Sequence, residues 1–118
     1  GLGLLIQFER ELGTDLTKMD LDSFLEALPS LITENIHLAK QADIKRKNGE
    51  LVLRISNSIY SDLYTKEKLK SVYLLGCPLV SSIACAIAKS SGKVVTIDKS
   101  RVSPDGQLIE VWYNLVGD

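Results

Sequence analysis

A chain of 118 residues is long enough for one domain with a core of its own, needing neither metal nor disulfide staples. It is 45% hydrophobic and 25% charged, with a formal net charge of −1. That is an ordinary globular balance, and it argues against nucleic acid as a partner, which needs a basic surface to displace counterions. The sequence shows neither a transmembrane run nor a signal peptide. The chain opens on Gly1-Leu2-Gly3 with no methionine. It is therefore read as a tagged or trimmed chain, with a larger parent left open.

The first predicted element is a helix over residues 4–12, where Leu4, Leu5, Ile6, Phe8 and Leu12 have helix-compatible spacing before Gly13. Its apolar density marks it as core or as a dimerisation helix. Asp20 is the N-cap of a second helix through Leu28, with Leu21, Phe24, Leu25 and Leu28 on one face. Pro29 is expected to break or restart it, giving a short helix over about 29–35.

Asn48-Gly49 between two alternating segments calls for a two-residue type I′ hairpin. In that register Lys47 faces Glu50, Lys45 faces Val52 and Asp43 faces Arg54. On the other side Arg46 meets Leu51, Ile44 meets Leu53 and Ala42 meets Ile55. One face is then charged and the other apolar, as in a half-buried antiparallel pair. Residues 58–70 read as a short surface helix or turn whose tyrosines point into a cavity.

Gly76-Cys77-Pro78 opens the central helix, expected over about 78–90, with Gly92 capping its end. Val94–Lys99 forms a strand, and Ser103-Pro104-Asp105-Gly106 has the residues of a type I turn. Leu108–Val116 is the last strand. Ile109, Val111, Tyr113 and Leu115 share one of its faces, and Glu110, Trp112 and Asn114 the other. The expected architecture is α+β, with N-terminal helices over 1–35. A ββαββ core follows over 40–116, whose four-stranded antiparallel sheet carries helices on one face. Trp112 points away from the core, so a sheet this small is expected to use it at a subunit contact.

Chemistry is sparse. There is no phosphate-binding glycine loop and no Cys or His pair at zinc-ligand spacing, so neither cofactor nor metal is expected. Cys77 and Cys85 stand on one helix, roughly 12 Å apart at 1.5 Å per residue, too far for a disulfide. Free thiols fit a reducing cytoplasm. At the N-cap, Cys77 meets free N–H groups and the positive end of the helix dipole, which lower a thiol's pKa. Cys77 is thus a perturbed thiol or pocket rim, or else simply a small buried apolar residue, the plainer alternative. Cys85, mid-helix between alanines, is expected to be shielded and less reactive. His37 reads as a surface or capping group. Lys45-Arg46-Lys47 reads as a solvated turn.

From Gly49 to Val116 the order is hairpin, connector, a Gly-Cys helix of small residues, Gly92-Lys93-Val94-Val95-Thr96-Ile97-Asp98, a turn at Gly106 and a final aromatic strand. This pattern resembles the 4-vinyl-reductase-type domain, whose fold is shared with paired subunits of the TRAPP vesicle-tethering complex. In that family small residues let the helix sit close on the sheet, a role that Ser81, Ser82, Ala84, Cys85 and Ala88 match. The resemblance implies a small-molecule-binding or regulatory module. The family's metal-associated cysteines have no counterpart in Asp98-Lys99-Ser100-Arg101 or Glu110-Val111-Trp112-Tyr113, so metal binding does not carry over.

The expected function is a non-enzymatic module holding a hydrophobic small molecule between helices and sheet. Tyr60, Tyr64, Cys77, Val80, Ser81 and Ala84 are the candidate lining. The alternatives are a homodimeric protein-interaction domain, acting through the N-terminal helix or the Trp112 face, and a thiol-dependent enzyme. A homodimer is expected in either binding role.

Overall fold

The computed structural model describes residues 2–58 and 78–116. In chain order these form α1 (Leu2–Leu12), a 3-10 turn (Leu16–Lys18), α2 (Leu21–Ser30), a π turn (Leu31–Asn35), β1 (Ala39–Lys47) and β2 (Glu50–Ser58). Then come α3 (Pro78–Ser91), β3 (Val94–Val102) and β4 (Leu108–Val116). The strands form one antiparallel sheet in the order β1-β2-β4-β3, with the helices packed against it. The α+β expectation holds.

Local chemistry sets the helix ends. α1 stops where Gly13 turns left-handed at φ +73° and its N–H bonds the Glu9 carbonyl at 2.9 Å. The Asp15 carboxylate accepts from the Thr17 N–H and hydroxyl, which starts the 3-10 turn. Asp20 caps α2 by accepting the Ser23 N–H at 2.9 Å.

Pro29 does not break α2, contrary to the sequence expectation. The helix runs through it to Ser30 and then widens into the π turn. A proline inside a helix costs ~3 kcal/mol or more through its missing N–H and its ring. Burying Leu31 and Ile32, the first 2% and the second 0% exposed, returns about 1.5–3 kcal/mol each. The Thr33 hydroxyl donates to the Pro29 carbonyl at 2.9 Å, and Leu38 N–H closes the turn on Ile32.

The hairpin has the predicted register pair for pair, from Lys47–Glu50 through Ala42–Ile55. Asn48 and Gly49 both take positive φ, 48° and 81°, as a type I′ turn requires. Leu51, Leu53 and Ile55 are buried and Ile44 is half-buried. Beside them on the same face lie Ile109, Val111 and Tyr113 of β4, fully or almost fully buried. The Gly106 N–H bonds the Ser103 carbonyl at 2.9 Å in the turn between β3 and β4. β3 runs to Val102, further than expected, because after a register slip between Ile97 and Lys99 it goes on pairing with β4.

α3 closes the core from the helical side, and its orientation corrects a second expectation. Leu79, Val80, Ser82, Ile83, Ala86 and Ile87 face inward and are completely buried. Ser81, Ala84 and Ala88 are half-buried on the outer flank, and Cys85 is exposed. The aliphatic side chains bury far more apolar area than the small ones, so they claim the inner face. Of the small residues named for close packing, only Ser82 lies inside.

Candidate functional site

The inner face of the sheet belongs to the core; among the described residues the other is open. Strand alternation places Lys45, Lys47, Val52, Arg54, Glu110 and Trp112 on the open face. On β3 the register slip decides what joins them. Strict alternation from the inward Ile97 would send Lys99 into the core. Asp98 is the extra residue of a β-bulge, so Lys99 pairs with Trp112 and Arg101 with Glu110 on the outer side.

Trp112 consequently lies half-buried among cations. Lys99 Nζ stands 4.7 Å from the ring centroid and the Arg101 guanidinium carbon 5.6 Å, both in range of the ring's negative face. Val52 is its neighbour on β2. Glu110 reaches Arg54 at 3.2 Å and Arg101 at 3.6 Å, so one carboxylate is shared between two guanidinium groups. Such exposed pairs contribute ~0–1 kcal/mol each. Arg54 thus pairs with Glu110, and not with its cross-strand neighbour Asp43. Among the described residues, Lys45, Lys47 and Lys99 have no carboxylate within ion-pair distance. A recess of about 230 Å³ beside Trp112 is lined by Lys45, Lys47, Glu50, Val52, Arg54 and Glu110. A second recess, of about 460 Å³, continues along the same face past Arg54, Asp43, Gln41, Ser56 and Leu108.

The residues named from the sequence fall differently. Tyr60, Tyr64 and Cys77 lie outside the described residues. Val80 sits in the core, where its carbonyl accepts the Tyr113 hydroxyl at 2.8 Å. Ser81 and Ala84 are on the outer flank of α3, with Ala84 packed against the edge of the core. Cys85 is exposed, against the expectation of a shielded thiol, because its position on α3 faces away from the sheet. His37 is exposed with φ 58° at the exit of the π turn. Lys99 and Arg101 were missed by sequence reasoning, since a bulge leaves no mark in the hydrophobic alternation.

The other polar cluster is a brace between helices. Lys89 of α3 bonds Glu9 of α1 at 2.7 Å, and Glu9 also accepts the Leu16 N–H at 2.9 Å. The Glu9 bond raises the Lys89 pKa above its ordinary value, with Asp15 nearby adding to it and partial desolvation opposing. Among the described residues no group of three His, Cys, Asp or Glu is placed to hold a metal ion. No described helix is long and apolar enough to cross a membrane.

No family model matches the chain, and no curated protein or solved structure matches it.

Proposed function

We propose that the chain is a non-enzymatic interaction domain that holds an extended acidic segment of a partner protein across the open face of its sheet. The observation that carries this reading is Trp112 flanked by Lys99 and Arg101, with Lys45 and Lys47 across the same face. A half-buried tryptophan beside Val52 offers an apolar anchor, and aromatic and arginine side chains are enriched where interfaces concentrate their energy. Among the described residues Lys45, Lys47 and Lys99 have no carboxylate partner, so acidic side chains gain charge-assisted hydrogen bonds there.

Trp112 is the chain's one tryptophan, so its emission reports on this face alone. Titration with a peptide of alternating glutamate and valine is expected to change that emission saturably. Added salt weakens the binding by screening, and the double variant Lys99→Ala/Arg101→Ala weakens it by roughly tenfold. Emission that stays constant up to millimolar peptide refutes the reading.

The second reading is a hydrophobic small molecule held beside α3. It is supported by the resemblance to 4-vinyl-reductase-type domains and by Val80 and Ala84, which meet the core on that helix. Native mass spectrometry of the purified chain tests it: a co-purified mass above 13.0 kDa favours it, and the bare chain mass removes it. A homodimer is compatible with either reading.

A further inference from the structure

Among the described residues, the order β1-β2-β4-β3 leaves β1 and β3 each with one unpaired side. They are unlike edges. β3 carries the bulge at Asp98, and a bulged edge twists away from straight pairing. β1 pairs with β2 in one continuous register from Gln41 to Lys47, skipping only Lys40 opposite Asn57, and contains no proline. In a two-residue hairpin the residues flanking the turn exchange both backbone bonds, so Lys47, Lys45, Asp43 and Gln41 face β2. The N–H and C=O groups of Lys40, Ala42, Ile44 and Arg46 are then directed to the free edge.

We propose that this edge pairs with the β1 edge of a second copy, antiparallel about Ile44, so that two four-stranded sheets continue as one. Side-chain alternation admits only registers that set outward residues opposite outward residues. Centred on Ile44, Asp43 of each chain meets Lys45 of the other, and Gln41 meets Lys47. On the core side the two Ile44 side chains, each half-buried against the edge of the core, cover one another. A register centred on Asp43 sets Asp43 against itself and Lys40 against Arg46. One centred on Lys45 sets lysine against lysine. Charge complementarity therefore favours the Ile44 register over both. Asp43 is the one acid in a strand that also holds Lys40, Lys45, Arg46 and Lys47. Those cations discourage pairing with other basic strands, and the Ile44 register gives Asp43 a partner. Such a dimer engages Lys45 and Lys47 at the margin of the open face, whereas Trp112 on β4 and Lys99 and Arg101 on β3 take no part in it.

Light scattering over a concentration series tests it on the full chain and on two exposed charge variants, Asp43→Lys and Lys45→Asp. The parent chain is expected at twice its 13.0 kDa mass. Each variant alone sets like charges opposite at both contacts and weakens the dimer by roughly tenfold or more. An equimolar mixture of the two recovers a heterodimer, because each contact again joins opposite charges. Trp112→Ala leaves the dimer intact. A parent chain that stays at 13.0 kDa overturns the proposal, as does a dimer indifferent to both variants. A mixture that fails to recover, or loss of the dimer in Trp112→Ala, overturns it equally.

Discussion

Asp20 shows how much of a helix end rests on one carboxylate. Its oxygen accepts the Ser23 N–H, and hydrogen bonding from Ser23 holds its pKa below the ordinary 3.8. The folded state thus prefers the ionised form. That contribution is complete above the unfolded value and is lost as the pH falls through the lower, folded one. Asp20→Ala is expected to lower the melting temperature by a few degrees at neutral pH. In thermal melts the gap from the parent should narrow as the pH drops below 3.8; a gap that widens in acid contradicts the cap. Tyr113 is fully buried, with its hydroxyl on the Val80 carbonyl. Tyr113→Phe keeps the ring and removes the donor, which costs about 1–3 kcal/mol, measured by urea unfolding.

The hairpin was fully readable from sequence because Asn-Gly and period-two alternation each fix the same register. β3 was readable only to its bulge. One extra residue changes the face of everything after it, and the side chains Asp98, Lys99, Ser100 and Arg101 look alike in polarity. Pro29 was misread because the cost of a proline is local, while the burial of Leu31 and Ile32 that offsets it comes from tertiary packing. α3 was placed correctly but rotated, since its small residues were assigned inward on the strength of a resemblance. From the observed rotation, Ala86→Leu overpacks the core and costs about 1–3 kcal/mol. Ala84→Leu, on the flank, costs less. Comparable melting temperatures for the two variants contradict this orientation. The same rotation exposes Cys85, so alkylation of Cys85 should proceed in the folded protein without denaturant, as read by peptide mass spectrometry.

At the scale of the described residues together, helices and core occupy one face of the sheet, and the other face carries Trp112 and its cations. The sequence placed Trp112 on that outer face, but its neighbours there were set by the pairing of β4 with β2 and by the bulge in β3. Strand order is a long-range property that no local pattern encodes, so the union of Lys45, Lys47 and Lys99 around one indole emerges only in the fold. Amide chemical-shift mapping with the alternating glutamate–valine peptide reads the sheet face and the flank of α3 at once. Binding across the Trp112 face gives shifts confined to Lys45–Lys47, Val52, Lys99–Arg101 and Trp112, fading as salt is raised. Shifts centred on Ser81 and Ala84 of α3, or none at saturating peptide, would contradict it.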